Sequence, residues 1–144
     1  MREIKAEETY KVYDCLEYLG EHHNEVSVYF KGHYPTITSR ELIKQFEEEL
    51  EKGGSFIAVI EDEEKVVAFL KISVKGSEGS LDYLAVLKEY QGRGYGTALM
   101  KWAFERFEEL NVTGIEVKTV YGNDAIDLYK KYGFREKSII LRKI

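Results

Sequence analysis

The stretch LAVLKEYQGRGYGTALMKW, residues 84–102, constrains the fold of this chain more than any other. An apolar run leads into Gly92, Gly94 and Gly96, and an amphipathic run follows them. This order predicts a strand, a glycine turn and a helix, whose first-turn N–H groups and positive dipole end form an anion site. A plain strand-to-helix turn would need only one glycine, so this spacing predicts a phosphate-bearing ligand close to the backbone. Arg93 adds a positive charge at the same place.

Two other phosphate-binding loops fit this stretch less well. A P-loop carries a Lys-Ser or Lys-Thr pair after its glycines, and none follows Gly96. A dinucleotide loop has the pattern G-x-G-x-x-G, but Thr97 takes the place of its third glycine, although Glu116 lies at about the separation of a ribose contact. That loop also belongs on the first strand of a parallel unit, whereas two hairpin-linked strands precede Leu84. A nucleotide-binding module is kept as a lower-ranked hypothesis.

The hydrophobic pattern predicts one α/β domain over residues 1–144, with a mixed, mostly antiparallel sheet flanked by helices. Gly20 is expected to end the first helix, and the capping-box spacing of Thr38 and Glu41 to begin the second. The charged turn EDEEK is expected to join two strands as an antiparallel hairpin. The expected strands lie at 2–6, 55–60, 66–74, 80–87, 114–120 and 134–144. The first helix is expected at 7–19, and the second runs from the capping box to just before Gly53. The last two helices are expected at 97–110 and 124–132.

Composition argues against several classes of protein. The chain carries a net charge of −5 and has a pI of about 5.4, which disfavours a general electrostatic grip on nucleic acid. Cys15 is the only cysteine, so neither an internal disulfide nor a cysteine-rich metal site is expected. No apolar run approaches the length of a membrane span, and the charged N-terminus lacks the apolar core of a signal peptide. We expect a cytoplasmic protein with no membrane or nucleic-acid partner.

Two segments match longer sequence patterns. In KEYQGRGYG, which follows the strand residues LAV, Gln91, Gly94 and Gly96 fill the pattern Gln/Arg-x-x-Gly-x-Gly/Ala. The segment NDAIDLYKKYGF, residues 123–134, is similar to N-x-x-A-x-x-L-Y-x-x-x-G-F, with its alanine offset by one place. Together, and in this order, the two segments resemble the GNAT superfamily of N-acetyltransferases. The resemblance implies a GNAT-like fold with splayed central strands and acetyl-CoA as the cosubstrate.

The resemblance also implies a role for each part of the cofactor site. The strand at residues 84–86 would offer its backbone to the pantetheine arm, and the loop N–H groups would hold the pyrophosphate. The N–H near Val86 would polarise the thioester carbonyl, as an oxyanion hole does. Asn123 would either contact the pantetheine or simply cap its helix. The implied cofactor-binding residues are Leu84, Ala85, Val86, Gln91, Gly92, Arg93, Gly94, Tyr95, Gly96, Thr97 and Asn123.

Tyr129 is the residue that the resemblance assigns to acid catalysis. Attack of an amine on acetyl-CoA expels a thiolate whose conjugate acid has a pKa of about 8.5, and a positioned phenol with a pKa of about 10 can donate that proton. The amine must also lose a proton. Asp82, on the strand before the glycine loop, ranks first as the base, ahead of Glu116 on the next strand. The structural alternatives are a tyrosine packed in the core and a solvated carboxylate at a strand edge.

Four further residues carry weaker signals. His22, His23 and His33 fall in a segment without clear periodicity, which often shapes the acceptor site in this family. No third ligand at a metal-binding spacing accompanies the two adjacent histidines, so no metal site is expected. Cys15 is expected to pack in the core, since direct transfer needs no covalent intermediate.

The sequence therefore predicts an acetyl-CoA-dependent N-acetyltransferase that transfers the acetyl group directly to an amine of a small molecule or peptide. A non-catalytic acyl-CoA-binding sensor is the alternative. The acidic composition mildly favours cationic acceptors such as polyamines, aminoglycosides or lysine-rich peptides. Only ten residues follow Phe134, where the family often has two strands, so a homodimer that completes the acceptor cleft is a further hypothesis.

Overall fold

The chain forms one five-stranded mixed sheet with helices on both faces. The computed structural model describes residues 1–144. The strands are β1 (Arg2–Glu3), β2 (Ser55–Asp62), β3 (Lys65–Lys75), β4 (Glu78–Val86) and β5 (Gly114–Val117), in that spatial order. The helices are α1 (Tyr13–Val26), α2 (Ser39–Lys52), α3 (Tyr95–Glu109) and α4 (Ala125–Lys131), with 3₁₀ helices at Ala6–Val12 and Lys88–Tyr90. Strands β1 to β4 pair antiparallel and β5 pairs parallel with β4, so the predicted fold class is confirmed.

The two faces of the sheet carry different helices. Phe46 of α2 packs against Tyr83 of β4, with ring centroids 5.1 Å apart, and its ring centroid lies 5.3 Å from the ammonium nitrogen of Lys71 on β3. Phe107 of α3 instead covers Gly79, where an added Cβ would lie 2.7 Å from the ring. Gly79 lies opposite Val74 of β3, three positions from Lys71, and side chains alternate along that strand, so α2 and α3 enclose the sheet from opposite sides. None of the helices combines the length and the apolar character needed to cross a membrane.

Two short-range sequence signals, the capping box and the hairpin turn, predicted the local structure correctly. The Thr38 hydroxyl accepts the N–H of Glu41 at 3.2 Å, and the Glu41 carboxylate accepts the N–H of Thr38 at 3.2 Å, so the capping box is formed. The turn between β2 and β3 places Glu63 and Glu64 at positive φ, and the two strands pair along their length. These features need only neighbouring residues, so the sequence alone determines them.

Strand β4 leaves β5 at a β-bulge. The two strands pair only from Glu78 opposite Gly114 to Leu81 opposite Val117, whereas β4 continues to Val86. Directly after the last pair, Lys71 of β3 opposes Tyr83 and the next β3 residue opposes Leu81, which leaves Asp82 as the extra residue. A bulge bends its strand and increases the local twist. The predicted splay of the central strands is therefore confirmed, and we call this branching point the fork.

The prediction that Gly20 ends the first helix is wrong. Helix α1 runs through Gly20 to Val26, and the segment Ala6–Val12 before it is 3₁₀ rather than α-helical. A Cβ added at Gly20 would lie 3.1 Å from Cδ of Pro35. The glycine therefore allows the α1–α2 connection to pack tightly against the helix, which a local pattern does not reveal.

The predicted final strand at residues 134–144 is absent. These residues form no helix or strand, and β5 ends at Val117 rather than at residue 120. Ile139, Ile140 and Leu141 are each more than four-fifths exposed. Apolar and β-branched composition favours a strand only where a neighbouring strand supplies hydrogen bonds and cover, and none pairs with this segment.

Candidate active site

The glycine loop presents a row of free backbone donors. Gly92 and Gly94 have φ values of 80° and 83°, in the region that favours glycine, and Gly94 is the N-cap of α3. The first intrahelical bond runs from the N–H of Ala98 to the carbonyl of Gly94, at 3.0 Å. None of the backbone N–H groups from residue 92 to residue 97 donates to a protein acceptor. This row at the positive end of a helix forms a cradle for an anion.

Side chains hold the loop against the rest of the site. The Gln91 amide donates to the carbonyl of Val86 at 2.9 Å and to the hydroxyl of Tyr18 on α1 at 2.8 Å. The Arg93 guanidinium donates to the Glu89 carbonyl at 3.2 Å and lies 4.7 Å from the centroid of the Tyr90 ring. Both side chains were predicted to bind the cofactor, and in the free protein both fix the shape of the loop. Tyr18 is a contact that the sequence analysis missed.

The outer edge of β4 is open beyond the fork. The N–H of Leu87 donates to the carbonyl of Val67, at 2.9 Å, on the β3 side. Because alternate residues direct their backbone groups to opposite sides, Leu84 and Val86 face the open edge and Ala85 faces β3. The Ala85 side chain is also buried. The edge thus offers Leu84 and the N–H of Val86 to an extended ligand, as a strand edge does to a peptide.

Tyr129 lies on α4. Its side chain is 9% exposed, and its ring packs edge-on against Phe134, with centroids 5.9 Å apart. Phe134 in turn contacts Phe104 of α3, so Tyr129 belongs to the α3 side of the sheet. The hydroxyl has no protein hydrogen-bond partner and is not sealed from solvent. Burial raises the pKa of Tyr129 above its ordinary value, so the phenol stays protonated at neutral pH.

Asn123 begins the helix that carries this tyrosine. Its side-chain oxygen accepts the N–H of Ala125 at 3.0 Å, and its carbonyl accepts the N–H of Ile126 at 3.2 Å. The cap foreseen as the alternative for Asn123 is therefore formed. The side-chain nitrogen makes no hydrogen bond with the protein, so a ligand contact stays open to it.

Asp82 belongs to a buried ionic network on the α2 face. The ammonium of Lys71 is 2% exposed and donates to Asp82 at 2.7 Å, to Glu49 at 2.8 Å and to Ser73 at 3.2 Å. Asp82 also accepts hydrogen bonds from the hydroxyls of Ser73 and Ser80. All three protons of Lys71 and both oxygens of Asp82 are thus engaged, as a buried ion pair requires. The one sequence signal for Lys71 is its position as a lone charge in the apolar run VVAFLKISV.

A cavity of about 350 Å³ lies beside this network, at the fork. A larger groove of about 840 Å³ continues from it along the start of β4. The cavity is lined by Glu49, Lys71, Ser73, Ser80, Leu81, Asp82, Tyr83 and Lys118. The groove shares Glu49, Ser73 and Ser80 with it and reaches Glu116, which pairs with Lys137. The cavity therefore lies where β4 and β5 separate, on the face of the sheet that α2 covers.

The histidines and the cysteine take structural positions. His22 and His23 lie on α1 rather than in a loop, and His22 stacks on Tyr18 with ring centroids 5.9 Å apart. Burial lowers the pKa of His23, which packs against an aromatic ring of the α1–α2 connection. His33 lies in that connection, as expected. The Cys15 thiol is buried and donates to the carbonyl of Val66 at 3.7 Å, and burial raises its pKa to about 12.

These features define a class: a forked α/β sheet with an anion cradle at a helix start and an open strand edge leading into it. The sequence model of the acetyltransferase (GNAT) family matches residues 19–134, more than half of the chain. The chain therefore belongs to the GNAT acetyltransferase family, whose cosubstrate is acetyl-CoA. The family, fold class and cosubstrate predicted from the sequence are thereby confirmed.

Solved structures share the whole fold at low sequence identity. A tetramutant of the BH1408 protein of Bacillus halodurans is 20% identical, with a TM-score of 0.77 over 99% of this chain and 97% of that one. An aminoglycoside acetyltransferase from an uncultured soil metagenomic sample, solved with sisomicin, is 17% identical, with a TM-score of 0.71 over 99% and 93%. An aminoglycoside N-acetyltransferase solved with CoA is 14% identical, with a TM-score of 0.69 over 99% and 98%. No curated protein sequence matches the chain.

Proposed function

We propose that this protein transfers an acetyl group from acetyl-CoA directly to the amine of a small molecule or peptide. The observation that carries the proposal is one continuous surface. The open edge of β4, at Leu84 and Val86, runs into the row of free N–H groups at residues 92–97. A pantetheine arm pairs like a peptide and ends in a pyrophosphate, so this surface matches both parts of acetyl-CoA.

Each part of the surface takes a role in this proposal. The backbone of Leu84 and the N–H of Val86 bind the pantetheine arm, and the Val86 N–H is the donor available to a developing oxyanion. The amides from Gly92 to Thr97 hold the pyrophosphate, with the Arg93 charge nearby. Gln91 acts by fixing the loop to the end of β4, and the free nitrogen of Asn123 faces the ligand.

Tyr129 is our candidate for the general acid. The thiolate that leaves acetyl-CoA needs a proton at neutral pH, and a tyrosine that stays protonated can supply it. The hydroxyl spends no hydrogen bond on the protein, which leaves its proton available for the sulfur. Tyr129 lies on the α3 side of the sheet, and the fork cavity lies on the opposite face. In this proposal the cofactor and the acceptor therefore enter from opposite faces of the sheet.

Asp82 is our candidate for the group that receives the amine proton. Its position directly after the last β4–β5 pair puts it at the fork. Its two oxygens accept three hydrogen bonds, from Lys71, Ser73 and Ser80, which leaves one lone pair on Oδ1 for a proton. The engaged state of Asp82 is also the observation that favours the alternative, a non-catalytic acyl-CoA sensor. Glu116, in its ion pair with Lys137, ranks behind Asp82.

Two measurements separate these functions. Acetyl-CoA and CoA should raise the melting temperature, because a ligand that binds the folded state stabilises it by about 2.7 kcal/mol at about 100 times its Kd. NAD should not bind and should leave the melting temperature unchanged. Thiol release from acetyl-CoA is then followed over a panel of amines. Stabilisation by NAD alone would refute the proposal, and CoA binding without turnover on any amine would support the sensor. Gly94→Val, which forces a β-branched residue into a left-handed conformation inside the cradle, is the binding-deficient control.

The quaternary state and location are further parts of this proposal. The exposed apolar residues Ile139, Ile140 and Leu141 and the free edge of β5 are surfaces that a second copy would cover, which supports a homodimer. A monomeric mass in light scattering would remove that support. The free thiol of Cys15 is compatible with a reducing cytoplasm, and fractionation of cells checks this placement.

A further inference from the structure

We propose that the acceptor is a compact zwitterion, an amine that carries a carboxylate or phosphate nearby, and that it binds in the fork cavity. Glu49 would bind its ammonium group and Lys118 its anionic group. The inference rests on the proposed function, because it names the acceptor of the same reaction. It differs from the expectation of a cationic acceptor drawn from the overall acidity of the chain.

The charges that line the cavity balance, although the chain as a whole carries −5. Two carboxylates, Glu49 and Asp82, face two ammonium groups, Lys71 and Lys118. Three of these four groups form the network described above, which carries one net negative charge. Lys118 has no carboxylate within salt-bridge distance, so its positive charge is the one left for a ligand. A cavity that combines a network of net charge −1 with one ammonium group outside any salt bridge matches a zwitterion better than a diamine.

The network leaves one acceptor site for an ammonium group. Lys71 spends its three protons on Asp82, Glu49 and Ser73, and both oxygens of Asp82 are occupied. Glu49 uses only one of its two oxygens for Lys71, and its side chain is 43% exposed. The second oxygen is therefore the free carboxylate oxygen in the cavity, and it is the position for the ammonium group of the acceptor.

Lys118 lies at the fork. It follows Val117, the last β5 residue that pairs with β4, and it lines the same cavity as Glu49 and Tyr83. The cavity volume of about 350 Å³ lies near the lower end of small-ligand pockets, which span about 300–1,000 Å³. The amine and the anionic group must therefore lie close together in the acceptor, as in an amino acid or an amino-alcohol phosphate.

Matched acceptor pairs test the anionic group. Alanine is compared with alaninamide, lysine with lysinamide, and phosphoethanolamine with ethanolamine, at saturating acetyl-CoA. We expect kcat/KM to favour the anionic member by at least tenfold, and the better of carboxylate and phosphate identifies the group. Equal or reversed preferences, with clear turnover of the members that lack an anionic group, would overturn the inference and leave the proposed function standing.

Two substitutions then assign the residues. Lys118→Gln should reduce the preference for the anionic member of each pair to within threefold. Lys101 is an exposed lysine on α3, across the sheet, and Lys101→Gln should leave that preference unchanged. Glu49→Gln should raise KM for every amine about tenfold and preserve the preference between members of a pair. A preference that survives Lys118→Gln would overturn the assignment.

Calorimetric binding of the same pairs to the CoA complex gives a readout without turnover. Tighter binding of the anionic members, lost in Lys118→Gln, would support the inference even if no acetyl transfer occurred. In that case the proposed function would fail and the zwitterion site would stand. Binding of no zwitterion at all would overturn the inference.

Discussion

Replacing Tyr129 by phenylalanine removes one oxygen atom and tests whether that oxygen supplies a proton. The hydroxyl makes no hydrogen bond with the protein, so its removal breaks none. We expect the free energy of unfolding to change by less than about 0.5 kcal/mol, as for a substitution that leaves packing intact. The affinity for acetyl-CoA should change less than about threefold, because the ring and its contact with Phe134 are retained.

The rate of transfer should respond very differently. A positioned general acid contributes about 10² to 10⁴ in rate, so kcat of Tyr129→Phe at pH 7 should fall about 100-fold or more. The deficit should also depend on pH. Burial raises the pKa of Tyr129 above its ordinary value, so the wild-type phenol is protonated at neutral pH. Above about pH 8.5 a thiolate leaves without needing a proton, and the gap between wild type and variant should narrow.

Thiol release from pH 6 to 10, at saturating acetyl-CoA and amine, measures this profile. Tyr132→Phe is the matched control, since Tyr132 follows α4 directly and packs on Phe104 with centroids 5.3 Å apart. Its kcat should stay within about twofold of wild type, as expected away from the reacting atoms. Unchanged turnover of Tyr129→Phe would refute the acid role. A deficit of equal size at every pH would show that the tyrosine only shapes the site.

Three further substitutions test the loop, a tight contact and the buried thiol. Gly96→Ala should stabilise the free protein by about 0.5–1 kcal/mol, because the position is helical and an added Cβ would come no closer than 4.0 Å to Val86. The same substitution should weaken CoA binding in calorimetry. An unchanged affinity for CoA would contradict the role of the loop as an anion cradle. Gly122→Ala should lower the free energy of unfolding by about 2–4 kcal/mol, because the φ of Gly122 is +96° and a Cβ would lie 2.4 Å from the Val26 carbonyl oxygen. A wild-type midpoint in urea would show that Gly122 does not pack against the end of α1. Burial raises the pKa of Cys15 from 9.0 to about 12, so the folded state favours the protonated thiol. The stability that this preference contributes is complete below pH 9 and is lost as the pH rises towards 12. The free energy of unfolding should fall by up to about 4 kcal/mol over that range. Cys15→Ala should flatten that part of the stability profile, and rapid reaction of the folded wild type with a thiol reagent at pH 8 would contradict the burial.

The sequence predicted features that depend on neighbouring residues. The glycines at 92 and 94 need left-handed backbone, and the capping box and hairpin turn need residues only a few positions apart. The motif predicted either a ligand contact or a helix cap for Asn123, and the cap is formed. Periodicity and motif spacing therefore determined the loop, most of the helices and the family.

Features that depend on distant residues were not predicted. The role of Gly20 depends on Pro35, which lies fifteen positions away and packs against it only in the folded chain. The engagement of Asp82 depends on Lys71 and Ser73, which lie on another strand. The final strand was predicted from composition, but strand propensity is realised only where a partner strand is present. Such contacts require knowledge of the register and packing, which one sequence does not contain.

The bulge at Asp82 makes the opening of the sheet a matter of residue count rather than of residue type. One residue more on β4 than on the facing stretch of β3 turns the strand away from β5. Deleting that single position would restore an even ladder and allow the two strands to close over the ligand channel, whereas many substitutions there would leave the channel open. Over evolutionary time the opening should therefore tolerate changes of side chain at this position far better than insertions or deletions within the strand pair.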